Sequence, residues 1–359
     1  MRPVAVLLLT LSLLACSRSG PPSSPGPGLA MTKAAEFRIH LDLLLSEHVM
    51  MIAKTSAGAF NHTDEYTAYA TLLNANFGDL EVLFSQAFGN TAAEQIMRAW
   101  NAENVSLVDY AIGVVVHDDD RAKRDMLKLD NEIAPQLAGL LNEAGDVPGD
   151  RVRQILADQA TADRMFIDDL FAQHFDAFYR DLHGAYAKSS ALGDLVATQV
   201  ARKFPDKFPG DPASHDAGVR LSAAQLLQER SYLVTMSTAA VVAGRGAEVT
   251  PSSTALTSSC AALTEIYPKS LNALCSLEVS AMTNYAKGDA TAREVILGQY
   301  VSQFASLANV GSPSVVVHMS ALLHAVDDQR ASDFMALATD DRAAATSTQP
   351  IADSVVVEG

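Results

Sequence analysis

Positive charge, aromatic side chains and cysteine are all scarce in this chain of 359 residues. Lysine and arginine number 26 against 42 aspartates and glutamates, which leaves a formal net charge of −16. A chain this acidic has no basic stripe to displace counterions from a phosphate backbone, so nucleic acid is excluded as a partner. The same deficit excludes a peripheral electrostatic grip on anionic lipid. Aromatics make up only 6% of residues, and alanine and leucine abound, a balance that suits many helices better than many strands. Compact catalytic signatures are missing too. There is no Gly-x-Ser-x-Gly, no phosphate-cradling glycine loop, no His-Glu-x-x-His and no Glu-x-x-His of the di-iron bundles. Nothing pairs a nucleophile with a base, so the reading leans away from an enzyme.

What the chain does carry begins at its first residues. Arg2 precedes the apolar run Val4–Ala15. That run is too short for a membrane span, which takes roughly 20 residues. It reads as a signal peptide, residues 1–15. Its end, Leu13-Leu14-Ala15-Cys16, resembles the lipobox of bacterial lipoproteins. The resemblance implies cleavage before Cys16 and acylation of that cysteine, and two or three chains suffice for a stable anchor. Residues 16–31, rich in Pro, Gly and Ser, read as a tether that holds the folded part off the membrane. Ser17 follows the cysteine where some Gram-negative lipoproteins carry an Asp retention signal, which leaves outer-membrane delivery open. The location implied is the bacterial cell envelope, with the membrane as one partner and an envelope protein or ligand as another.

Beyond the tether, apolar residues recur at spacings of three and four almost throughout. The reading is an all-α fold, with helices at about 33–60, 64–88, 92–117, 120–144, 149–186, 188–204, 217–243, 252–267, 269–287, 290–309 and 314–340. Thr91 and Glu94 have capping-box spacing. Pro148 and Pro313 suit first helical turns, and Pro135 should kink or split its helix. The segment 205–216 has three prolines and no periodicity, so it reads as a linker. It divides a first helical bundle, 32–204, from a second, 217–345. Residues 346–359 read as a loose tail, extended at Ser354–Glu358.

The two bundles repeat one order of features. Leu44–Phe60 has a worn copy at Leu226–Val242, in which Glu47 becomes Glu229 and His48 becomes Arg230. Val108-Asp109-Tyr110-Ala111 answers to Thr283-Asn284-Tyr285-Ala286, with Gly113 and Gly288 two residues on. Such an ordered series implies an internal duplication. The pattern resembles a group of secreted bacterial helical-repeat proteins of unassigned activity. Their repeat runs from a Leu-Leu-Ser-Glu-His helix to a Trp-Arg-x-His helix ending in Val-Asp-Tyr. Leu44–His48, Trp100 and Val108–Tyr110 match it, whereas Glu103 stands for the second His and Asn101 for the Arg. Some members carry a domain similar to the N-terminal domain of copper amine oxidases. The resemblance implies the fold and no established activity.

Each bundle puts one ionisable residue into two otherwise apolar stripes: His48 and Glu103 in the first, Arg230 and Glu278 in the second. Helix lengths at 1.5 Å per residue place the members of each pair at one level, mid-bundle. A buried glutamate needs a partner, and His or Arg supplies one, so both pairs read as buried polar pairs. A sharper alternative adds His174, from the apolar face Ile167, Phe171, His174, Phe178, to His48 and Glu103. That trio would make a metal site, with copper or iron as the ion. Cys260 and Cys275 lie at about equal distances from a turn at Tyr267-Pro268, at the positions held by Phe77 and Trp100 in the first bundle. An antiparallel hairpin sets them side by side, so a disulfide is expected.

Overall fold

The computed structural model describes residues 32–267 and 271–355. The signal peptide, Cys16 and the tether lie outside the described residues, as do the centre of the Cys260–Cys275 turn and the last four residues. Among the described residues every regular element is a helix. The fold is all-α, as the periodicity predicts.

The first half runs α1 (Lys33–Asn61), α2 (Glu65–Phe88), α3 (Asn90–Val115), α4 (Asp119–Lys128), α5 (Ala134–Gly145), α6 (Gly149–Phe171) and α7 (Phe175–Lys203). A π-helical turn, Leu129–Ile133, joins α4 to α5. Pro135 lies just past this π turn in a helix that runs on from α4, and the wider turn accommodates its missing N–H. The second half runs α8 (His215–Val242), α9 (Gly246–Ile266), α10 (Asn272–Ala286), α11 (Thr291–Glu294), α12 (Val301–Ala308), α13 (Ser312–Ala331), α14 (Phe334–Thr346) and α15 (Gln349–Ala352). Here too a π-helical turn, Val295–Tyr300, falls between the fourth and fifth α-helices.

Local chemistry accounts for the ends. Thr32 and Ser214 cap α1 and α8, each accepting from the backbone N–H three residues on. Gly113 lies inside α3, where a Cβ would meet the backbone of Ala122 at 2.9 Å, so its bareness lets α4 fold back closely. Gly288 serves differently: its φ of 97° ends α10 in a conformation that glycine adopts without strain.

Several boundaries differ from expectation. The helix read as 149–186 breaks at Ala172–His174, with Gln173 at φ 57°, and α7 then runs unbroken to Lys203. The helix read as 314–340 breaks likewise at Ser332, φ 56°. Within the segment read as a tail, Gln349–Ala352 forms a helical turn with Ile351 and Ala352 buried.

In each half the first helix packs on the second, and the last two long helices pack on each other. Between the halves the contacts are reciprocal. α1 meets α8, α7 of the first half meets α9 of the second, and α14 of the second meets α2 of the first. The segment 205–216 holds no regular element before α8 begins at His215.

Candidate functional site

Glu47 and His48 are consecutive, so they point about 100° apart around α1 and face different neighbours. His48 turns into the first half. Its Nε2 lies 2.7 Å from Asn104 Oδ1 and 3.5 Å from Glu103 Oε2, and its ring meets the Trp100 indole edge-on. Since Asn104 Oδ1 can only accept, His48 Nε2 carries the proton and donates to it. Burial pushes the His48 pKa down to about 4, so the ring is neutral at neutral pH. Burial raises the Glu103 carboxyl well above its usual range, and the Asp163 carboxylate raises it further. Asp163, wholly buried, is itself raised to about 7, chiefly by burial. This core holds a neutral imidazole and carboxyls that burial favours in their protonated form.

In the second half Arg230 meets Glu278. Its Nε and Nη2 donate to Glu278 Oε2 at 3.1 and 2.8 Å, and Nη1 donates to Leu256 O and Ser259 Oγ. Tyr300, from the π turn, donates to the same carboxylate oxygen at 2.9 Å. Burial works against the Arg230 charge, but Glu278 holds its pKa above the ordinary value. The structure thus brings both sequence-expected pairs together, one as a charged bridge and one as a loose neutral contact.

His174 does not join His48 and Glu103. The chain breaks just before it, so it caps α7 with its side chain 69% exposed, beside Asp169. An unbroken helix would have turned it inward, whereas the break at Gln173 turns it out. The metal reading therefore loses its third donor, and His48 Nε2 is committed to Asn104. Among the described residues no three His, Cys, Asp or Glu side chains are grouped as metal ligands. Cys260 and Cys275 are brought to disulfide distance, with Cα atoms 6.2 Å apart.

Glu47 turns the other way, towards the second half. Its Oε1 accepts from Tyr232 and Arg342 Nε, each at 3.0 Å. Its Oε2 accepts from Asn76 and Arg342 Nη2, each at 2.8 Å. Arg342 Nη2 also donates to Asp79 at 2.6 Å. Glu47, Asp79 and Arg342 line a cleft of about 560 Å³ among α1, α2, α8 and α14, walled by apolar side chains such as Leu43, Leu44 and Leu83. Two turns further along α1, Lys54 is buried against Asp341 and donates to Thr235 and Tyr69. A cleft of this size suits a small ligand or a partner's side chains. Its buried charges, Glu47 and Arg342, are paired with each other, so they can orient a guest.

Glu229 has the mirrored role. It meets His183 of α7 at 2.7 Å, on the wall of a smaller cleft of about 260 Å³. Ala255, Ser258, Ser259 and Ala262 line it with the same spacing as Asp79, Val82, Leu83 and Gln86 in the first cleft. The hydrogen bond that His183 donates to Glu229 raises the His183 pKa, while partial burial lowers it.

Sequence reasoning missed Arg342 and His183. The available signal was that Glu47 and Glu229 are both kept beside a residue that changes. Comparison of the chain with protein-family models, with curated proteins and with solved structures finds no match.

Proposed function

We propose that this chain is a lipid-anchored binding protein of the bacterial envelope, built from two diverged copies of one helical unit. The observation that carries the binding role is the cleft floored by Glu47, Arg342 and Asp79. It is large enough for a ligand, apolar-walled, and fixed by paired charges drawn from both halves. Local charge favours a guest with an apolar body and a hydrogen-bond donor, because two carboxylates face one guanidinium there.

Matched contacts at constant sequence spacings support the duplication. Tyr110–Asp168 answers to Tyr285–Asp327, and Arg38–Asp194 to Arg220–Asp353. Gln159 bonded to Ala185 O answers to His318 bonded to Ala344 O. The π turns and the Thr32 and Ser214 caps fall in step. The lipobox at Leu13–Cys16 and the tether behind it support the anchor and the envelope location.

A photo-crosslinking residue at Val82, on the cleft rim and 58% exposed, tests the binding role in membranes. One defined adduct from Val82, absent from the same residue placed at Val105, supports the cleft; identical adducts from both sites contradict it. Cys16→Ser tests the anchor. The substituted protein should be left unprocessed or soluble, and a processed form still fractionating with membranes would contradict the lipid.

A further inference from the structure

The first-half core contains a cavity of about 20 Å³, lined in part by His48, Trp100, Glu103, Gln159 and Ser189. Buried polar atoms there have no partner within the protein: Trp100 Nε1, Glu103 Oε2 and Gln159 Oε1, with Asp163 Oδ2 close behind on α6. Native cores leave few such atoms, because each costs the desolvation of a polar group. Trp100, Glu103 and Gln159, which carry three of these atoms, all line this one cavity. We propose that this site holds one resident water molecule, which accepts from Trp100 and donates to Gln159 and Glu103.

Size and valence fit that guest. A water needs roughly 10–15 Å³ of probe volume and two to four polar partners, so the cavity has room for one and not two. The donor and acceptor pattern matches too. The Trp100 indole can only donate and the Gln159 carbonyl can only accept, so a guest between them must do both. His48 does not fill the role, since its Nε2 already donates to Asn104.

The second half shows why the site belongs to one copy only. Trp100 is matched there by Cys275 and Gln159 by His318. Arg230 extends its guanidinium to Glu278 and satisfies that carboxylate directly. A protein cation thus does in one copy what a water does in the other.

The chain has a single tryptophan, so one indole resonance reports on the site. Nitrogen-15 labelling of Trp100 in the full-length protein should show cross-relaxation between the indole proton and a long-lived water. The signal should vanish in Gln159→Leu and in His48→Arg, which transplants the second half's arrangement, while the indole resonance stays dispersed. An absent cross-peak in the wild-type protein, or one that persists in both folded variants, overturns the proposal. If a variant does not fold, a high-resolution crystal structure of the wild-type protein decides. Density within hydrogen-bond distance of Trp100 Nε1 and Gln159 Oε1 supports the water. Density that exchanges potassium for rubidium identifies a cation and overturns it.

Discussion

Glu103 on α3 and Glu278 on α10 each meet a residue of the first helix of their half, yet their surroundings differ in kind. Glu278 receives a guanidinium and a tyrosine hydroxyl. Glu103 has a neutral histidine at 3.5 Å, an unpartnered oxygen and a second buried carboxyl nearby. A bundle seam can therefore keep a glutamate in two ways: by bringing it a permanent cation, or by letting it keep its proton. The choice of cation decides the state of the acid. Arginine cannot shed its proton in a protein core, whereas histidine can.

The sharpest way to break this contrast is Glu278→Ala. It leaves Arg230 charged and buried, and should cost about 3–5 kcal/mol in urea unfolding. Replacing both partners, as Arg230→Met with Glu278→Leu, should recover most of that loss. A double variant as unstable as the single one would contradict a simple pair. The Cys260–Cys275 link has no counterpart in the first half. Closing its loop should contribute about 3 kcal/mol, so reductant should lower the unfolding midpoint. Two freely alkylated thiols in non-reduced, denatured protein would contradict the link.

Asp163→Asn should instead stabilise, because it removes an acid whose folded pKa, about 7, exceeds its unfolded value near 3.9. Protonated Asp163 contributes stability that is full below about pH 4 and lost as pH rises through 7. The gain should be roughly 1–3 kcal/mol at pH 8 and small at pH 5. An equal effect at both values would show that Asp163 does not titrate in the fold. His48 acts in the opposite sense: its depressed pKa costs stability as pH falls from about 6.5 towards 4.

The smallest effect belongs to the second cleft. His183 is 60% exposed, so solvent screens its bond to Glu229, and His183→Ala should cost under about 1 kcal/mol at pH 6. Its raised pKa makes that contribution full below the unfolded value, and it disappears as pH rises through the folded one. The loss should thus be absent at pH 9, whereas Arg342→Ala should destabilise at both.

Much of this architecture could be read in the residues. Spacings of three and four mark the helices, and rise per residue sets His48 level with Glu103 and Arg230 level with Glu278. The distances of Cys260 and Cys275 from a proline turn bring them together. The failures have two physical origins. Gln173 and Ser332 break helices in the left-handed conformation without a glycine or proline to announce it, and His174 was misplaced for that reason. Glu47 finds Arg342 nearly 300 residues away because α14 crosses to the first half. A stripe on one helix says that it will be buried, but not which helix will cover it.

The central claim is that burial favours the protonated form of Glu103, whereas Glu278 is bridged by the Arg230 guanidinium. Unfolding free energies of Glu103→Gln and Glu278→Gln at pH 7 test it most directly, because glutamine matches the protonated acid in shape and charge. Glu103→Gln should change stability by less than about 1 kcal/mol, while Glu278→Gln should cost at least about 3 kcal/mol by stranding Arg230. Equal losses from the two substitutions would contradict the account.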